Sequence, residues 1–369
     1  MDNVRCAVIG AGWWGTEAHL PALQRHPNAE LVAVQKRDLE AAKKVAADFG
    51  VAHAFTSAEE VVGIDDLDAV VISSTPNVHY EHAKAALHRG LHVLIEKPMT
   101  IRAAEAHELT DLARKQGVQF LISCPWHFTP HNVEARKIVQ SGELGSVRMI
   151  SVLMTNFCIG FYQALPWEQI FGDTPTLQNT PNPYLEPRHT SYSDPAVAGG
   201  GQIYCQVSHA AAHVGFLTGR QPAEVFARFD NAGADVDVYD TLNIKLDDGT
   251  LVSMASTGAT MDSARHNEVR IYGTEGMMLM ELWKGTMEVH DKKCNVRKLP
   301  DIPEAETYPM FEPATNLVDV VLGKAPNGSP ADLGVFAMDV IEAACQSADS
   351  GSNVIVTPNP HFPDLAVSS

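Results

Sequence analysis

The chain has 369 residues, long enough for two hydrophobic cores, and its 45% hydrophobic and 20% charged content is that of a soluble globular protein. Its 27 basic against 45 acidic side chains give a formal charge of −18, which argues against nucleic acid or an anionic membrane surface as partner. No apolar run approaches transmembrane length, no basic leader with a cleavage signal stands before the first strand, and the six cysteines form no CxxC pair, so reduced thiols in a cytoplasm are expected.

Residues 4–9 form an apolar run of the kind expected for a strand buried on both faces. Gly10-Ala11-Gly12-Trp13-Trp14-Gly15 follows at once, and then a segment that reads as helix. In that order Gly10 permits the tight turn, Gly12 lets backbone approach a pyrophosphate, and Gly15 allows the helix to pack closely on the strand. A plain glycine-rich strand–helix turn is the bland alternative. Further strands are predicted over 29–36, 51–55, 68–73, 92–95 and 119–123, and helices over 39–49, 78–89, 103–116 and 131–141. This alternation predicts right-handed βαβ units around a doubly wound parallel sheet, α/β in class, over residues 1–124.

After Gly142 the pattern changes. A longer strand over 147–155 precedes a proline- and asparagine-rich stretch, 166–195, that reads as a lid or binding loop or as surface decoration. A glycine turn leads into a helix over 199–219, and strands over 223–229, 240–246, 251–256, 268–272, 276–281 and 287–290 imply a large, mostly antiparallel sheet. Helices over 316–322 and 331–348 close the chain, so residues 125–369 are expected to form an α+β domain whose last helices pack back on the first domain.

The tip of the second strand bears on the choice of dinucleotide. An Asp or Glu there would bond the ribose hydroxyls and repel a 2′-phosphate, but Gln35-Lys36-Arg37 occupies the place. Lys36 and Arg37 suit a phosphate, which slightly favours NADP over NAD; solvated surface charges, with Arg37 stacked on adenine, are the other reading. Trp13 and Trp14 either wall the cofactor cleft or pack in the ordinary way.

With GAGWWG, TPNVHY, EKP and GGGQIYCQVSHAAAH in this order, and RIYGTEG, NLVDVVLG and VIEAACQSADSG near the end, the chain resembles the Gfo/Idh/MocA family of sugar and cyclitol oxidoreductases. The resemblance implies an N-terminal Rossmann domain, a second domain for substrate and oligomerisation, NAD(P) as cofactor, and a homodimer or homotetramer. It places Thr75, Pro76 and Asn77 along the dinucleotide, with His79 one position earlier than the family's histidine; taken singly, each reads as a plain turn that caps a helix. It places Glu96 and Lys97 at the nicotinamide, where Lys97 would bond the reacting oxygen. The alternative for this pair is a Lys97–Glu96 ion pair at a domain edge.

In the family's GGGxLxDxGxH segment this chain keeps His209 but carries Cys205 in the Asp position and Val207 in place of glycine. The resemblance makes His209 the general base, with a satisfied core histidine as its rival. Cys205 is a neutral thiol that cannot hold an imidazolium as a carboxylate would. His213, one turn on, flanks the sugar pocket or supports His209; the HAAAH spacing lacks a third ligand, and no metal is expected. Trp126 is expected to stack on a pyranose and His127 to bond a hydroxyl, against an equal reading as an aromatic plug. Tyr184, Arg188, His189 and Tyr192 are sugar-contact residue types within the 166–195 stretch. The implied activity is NAD(P)-dependent oxidation of a secondary hydroxyl of a pyranose, a glycoside (C3 as a special case) or a cyclitol. A redox-neutral glycoside-cleaving or epimerising enzyme and a non-catalytic NAD(P)-sensing regulator are the alternatives.

Overall fold

The structure is a computed structural model that describes residues 3–166, 169–170, 190–360 and 362. The chain divides into two compact units, one made of Met1–Pro125, Ala164–Gly199 and Met310–Val335, the other of Trp126–Gln163, Gly200–Pro309 and Phe336–Ser369.

The first unit is built on a six-stranded, wholly parallel sheet. Its strands are β1 (Val4–Ile9), β2 (Ala29–Gln35), β3 (His53–Phe55), β4 (Ala69–Ile72), β5 (His92–Ile95) and β6 (Phe120–Ile122), in the order β3-β2-β1-β4-β5-β6. The chain winds outward from β1 to β3 and then returns to β4 on the other side of β1. That reversal makes the β1/β4 junction the switch point, where such sheets receive ligands at their carboxyl ends. The unbroken apolar runs are explained by burial on both faces: every side chain of β4, and Val4 and Cys6 to Ile9 of β1, is closed from solvent.

The helices of this unit follow local signals. The helix α1 (Leu20–Arg25) is preceded by one π-turn, Gly15–His19, where a plain α-helix was expected. The next helix, α2 (Leu39–Asp48), starts at Asp38, whose carboxylate accepts the Ala41 N–H at 2.8 Å. The third strand is shorter than its predicted 51–55 span, because Val51 N still bonds Ala46 O as part of the end of α2. An unpredicted short helix, α3 (Ala58–Val62), is started by a capping box between Ser57 and Glu60. The helices α4 (His79–His88) and α5 (Ala103–Gln116) pack together, and α5 ends on Gly117 in the left-handed region, φ 69°.

In the second unit, α6 (Pro130–Gln140) leads to β7 (Val147–Thr155) and the short α7 (Ile159–Tyr162). The short helices α8 (Thr190–Ser193) and α9 (Pro195–Ala198) belong to the first unit, and α10 (Gln202–Cys205) and α11 (Val207–Thr218) return to the second. The strands β8 (Pro222–Asp230), β9 (Tyr239–Leu246), β10 (Leu251–Thr257), β11 (His266–Gly273), β12 (Gly276–Glu281), β13 (Thr286–Asp291), β14 (Val296–Lys298) and, near the C-terminus, β15 (Val354–Ile355) complete a nine-stranded sheet, ordered β14-β13-β12-β11-β7-β10-β9-β8-β15. It is mixed: β7 lies parallel to β10 and antiparallel to β11, and every other pair is antiparallel. One face is apolar, seen in the strict alternation of exposed and buried residues along β9. The other carries exposed Met149, Leu153, Tyr239 and Leu251. The helices α12 (Glu312–Val321) and α13 (Asp332–Ser350) fall on the predicted C-terminal spans, the first starting four residues earlier and the second ending two later; Ala314, Leu317 and Val318 of α12 join the core of the first unit.

Candidate functional site

The glycine turn is held by contacts that leave no room for side chains. Gly10 has φ 83°, and a Cβ there would fall 2.3 Å from Ser74 N, so the exits of β1 and β4 touch backbone to backbone. A Cβ on Gly15 would lie 2.9 Å from Gly10 O. Gly12 N bonds Gly10 O at 2.6 Å, and Gly12 O receives both the N–H and the hydroxyl of Thr16. The turn is thus tight, backbone-lined and set over the switch point, the cradle a pyrophosphate needs, and these residues fit NAD(P). Trp13 and Trp14 are half-buried beside it and meet edge to face at 6.3 Å.

At the tip of β2, Gln35 is buried and works structurally: its Oε1 accepts the Gly10 N–H at 3.0 Å and its Nε2 donates to Thr56 O at 2.8 Å. Lys36 donates from Nζ to Ala11 O at 3.0 Å, which draws its ammonium against the glycine turn. Arg37 is exposed, and Asp38 is committed to its helix cap.

Thr75 and Pro76 are half-buried, Asn77 is exposed, and Thr75 Oγ1 donates to Asn77 Oδ1 at 2.8 Å. His79 is only 1% exposed, with Nδ1 2.9 Å from Pro98 O and Nε2 2.9 Å from Ser74 O. Burial lowers its pKa against the pull of these two carbonyls. His79 is thus a strut between the TPN turn and the EKP segment.

Glu96 lies at the carboxyl end of β5, buried, with Oε1 2.9 Å from His19 Nε2 and Oε2 accepting the Lys97 N–H at 3.1 Å. Burial alone would raise its pKa, but the bonds from His19 and Ser123 and the nearby Lys97 charge hold it below the ordinary carboxylate range. Lys97 is half-buried and joined to Pro98 by a cis peptide. The Glu96 carboxylate is paired with His19 at 2.9 Å, with the Lys97 charge nearby. His19 was not singled out in the sequence. The signal was there: a histidine among Ala18, Leu20, Ala22 and Leu23 on a buried helix face requires a polar partner.

In the second unit, α10 stops at Cys205 and Gln206 breaks the helix, φ −119°, before α11 begins at Val207. The i, i+4 relation of Cys205 and His209 therefore does not run along one continuous helix. Cys205 belongs to a polar group of its own. The Tyr162 hydroxyl donates to Gln202 Oε1 at 2.7 Å, Gln202 Nε2 donates to Ser256 Oγ at 2.7 Å, and Gln206 Nε2 lies 3.5 Å from the Cys205 sulfur. The Tyr162 pKa is pushed far up by burial, with Cys205 and Cys158 beside it.

His209, 4% exposed, sits in an aromatic group. The Trp126 ring is edge-on to His209 at 5.3 Å, to Trp283 at 5.2 Å and to Tyr308 at 5.0 Å, and the Arg265 guanidinium lies 4.5 Å over the Trp283 ring. Trp283 and Tyr308 carried no motif and were not among the expected residues. The indole N–H groups of Trp126 and Trp283 are buried and have no hydrogen-bond partner among the described residues.

His127 and His213 meet one helical turn further along α11, their rings 6.5 Å apart. His127 stacks on Phe216 at 4.5 Å, and burial holds its pKa well down. His213 Nε2 bonds Asn132 Oδ1 at 3.0 Å, and burial pushes its pKa to about 4. Both are buried, neutral side chains between α6 and α11. Among the described residues no group of three His, Cys, Asp or Glu could hold a metal. Tyr184, Arg188 and His189 lie outside the described residues; Tyr192 falls in α8.

A switch-point glycine cradle in a parallel six-stranded sheet, followed by a unit with a nine-stranded mixed sheet, defines a two-part dinucleotide-binding class. Residues 4–123 match the model of the oxidoreductase family with an NAD-binding Rossmann fold, and residues 175–279 match the GFO/IDH/MocA C-terminal domain. Together they take in more than half of the chain, which belongs to the Gfo/Idh/MocA family. An uncharacterised oxidoreductase of Synechocystis is 39% identical over 150 residues, 41% of this chain and 40% of that protein. A scyllo-inositol 2-dehydrogenase (NADP(+)) of Bacillus subtilis is 33% identical over 145 residues, 39% of this chain and 43% of that protein. The matched stretch thus spans about two fifths of these relatives' length. In fold, the chain resembles GenD2 of gentamicin A biosynthesis, solved in complex with NAD, with a TM-score of 0.77, 23% identity and 97% of each chain covered.

Proposed function

We propose that the protein is an NAD(P)-dependent dehydrogenase acting reversibly on a secondary hydroxyl of a pyranose, a glycoside or a cyclitol. The observation that carries this reading is the bracing of Lys97: its own N–H is held by buried Glu96, and the carbonyl of Pro98 is held by His79, at the carboxyl end of a Rossmann strand. A lysine fixed on both flanks in such a place is suited to donate a hydrogen bond to a reacting oxygen. The name of the inositol dehydrogenase relative supports a cyclitol or sugar as substrate class.

Gly10, Gly12 and Gly15 would hold the pyrophosphate, with Trp13, Trp14, Thr75, Pro76, Asn77 and His79 beside the dinucleotide. When bound, NAD(P) supplies the hydride acceptor. Lys97 polarises the hydroxyl oxygen and stabilises the charge that develops on it. His209 takes the hydroxyl proton, oriented by Trp126 rather than by a carboxylate at position 205. NADP is favoured over NAD because Gln35, Lys36 and Arg37 stand at the tip of β2, with Arg37 exposed and Asp38 capping α2. A homodimer or homotetramer in the cytoplasm completes the reading, supported by the exposed Met149, Leu153 and Leu251 on one sheet face and by the lack of any disulfide among the six cysteines.

The test is absorbance at 340 nm with NADP⁺ or NAD⁺ across a panel of pyranoses, glycosides and cyclitols. Stoichiometric NAD(P)H formation is expected. Substrate consumption without net NAD(P)H would instead indicate a redox-neutral enzyme, and dinucleotide binding without any turnover a sensor.

A further inference from the structure

We propose that His19 is a positioning residue for Lys97, acting through Glu96, so that the helix following the glycine turn and the lysine at the end of β5 are mechanically one piece. Its kinetic consequence rests on the dehydrogenase reading above; its structural consequence does not.

His19 is the fifth residue of the π-turn Gly15–His19 and is fully closed from solvent. The turn is wound i to i+5, Leu20 N bonding Gly15 O, and such turns insert one extra residue and re-aim the side chains that follow. Here the re-aimed side chain reaches Glu96, 77 residues on, at 2.9 Å. The pair is the whole of the polar contact His19 makes, since its Nδ1 has no partner among the described residues. Replacing a buried polar pair by apolar packing is often neutral for stability. A buried histidine that serves a single carboxylate is therefore explained less by the core than by what the carboxylate holds. That is the Lys97 N–H, bonded to Glu96 Oε2 at 3.1 Å. With Ser123 also bonded to Glu96, the carboxylate has a fixed direction on both oxygens. The residue four positions after the last glycine of the cradle thereby sets the backbone of the lysine.

Two substitutions in the full-length protein separate positioning from bulk. The amide nitrogen of glutamine reaches as far as Nε2 of histidine, and that of asparagine only as far as Nδ1. His19→Gln should keep kcat within about threefold, whereas His19→Asn should lower it about 100-fold, the scale of a 1 Å misplacement. In both, NADP⁺ affinity followed by tryptophan fluorescence should stay within about threefold of the parent protein, on the order of half a hydrogen bond. A second readout needs no turnover: acylation of Lys97 by an amine reagent, followed by peptide mass spectrometry. Saturating NADP⁺ should slow it about tenfold in the parent and in His19→Gln and less than about twofold in His19→Asn. Should His19→Asn fail to fold, Ser123→Ala, which removes another bond to Glu96, should give a weaker loss of the same protection. Equal behaviour of His19→Gln and His19→Asn in both readouts, or undiminished protection in Ser123→Ala, overturns the proposal. If the parent enzyme turns over nothing, the dehydrogenase reading falls while the labelling contrast still decides His19.

Discussion

At the scale of single residues, the two proposed catalytic groups differ in what surrounds them. His209 has aromatic edges at 5.3 and 6.5 Å, from Trp126 and Tyr308, where the family pattern would supply an acid four residues earlier. Its loss as the proposed general base in His209→Ala should lower kcat by about 100- to 10,000-fold while dinucleotide affinity persists. Near-normal turnover in that variant would remove His209 from the mechanism. The charges at the tip of β2 also divide. Lys36 is engaged with Ala11 O, and Arg37 is exposed. A charge-assisted bond to a 2′-phosphate contributes about 1.5–3 kcal/mol, so Arg37→Ser should weaken NADP⁺ about 10- to 100-fold and NAD⁺ hardly at all. Lys36→Asp should shift preference the same way and also loosen the glycine turn. Equal losses for both dinucleotides, measured by fluorescence titration, would refute the NADP preference.

At the scale of elements, what could be read from sequence was what is local. The glycine turn and the EKP strand end are encoded by neighbours a few residues apart, and they stand where their spacing predicts. Gly10 shows why: with φ at 83° and Ser74 N only 2.3 Å from where a Cβ would sit, no other residue fits without strain. Gly10→Ala should cost about 2–4 kcal/mol in urea unfolding, because backbone strain and a clash with main chain coincide. A loss below about 0.5 kcal/mol, the surface-substitution scale, would mean that the two strand ends move apart freely. What escaped was long-range. Glu96 is paired with a histidine 77 positions earlier, and His213 with an asparagine 81 positions earlier. No periodicity announces such partners. Of the two histidines of HAAAH one meets Trp126 and the other Asn132, because a helix turning 100° per residue sends them to slightly different neighbours. The parallel β7–β10 pair escaped for the same reason: runs of hairpins suggest antiparallel neighbours, and only tertiary pairing reveals the exception.

At the scale of the whole molecule, stability should depend on pH through two buried carboxyl groups of opposite behaviour. Glu96 has its pKa held down, so its contribution is present above the unfolded carboxylate range and lost as pH falls. Asp240, on β9, is 1% exposed, and neither of its oxygens has a hydrogen-bond donor from another described residue. Burial first, and then the Asp237 carboxylate beside it, push its pKa up to about 10. Asp237 in turn accepts the N–H groups of Gly201 and Ile203 at 2.8 and 2.7 Å, fixing the turn that leads into α10. The native state therefore binds a proton that the unfolded chain gives up near pH 4, the ordinary Asp range. The stability Asp240 contributes is full below that pH and declines as pH rises toward its native value. Asp240→Asn keeps the shape and a donor for Asp237 without a proton to lose. Its melting temperature relative to the parent should rise steadily from pH 5 to pH 9, by several degrees in total if about 1–2 kcal/mol is recovered. A pH-independent difference between the two proteins would show that Asp240 ionises in the fold and that another group carries the alkaline limb.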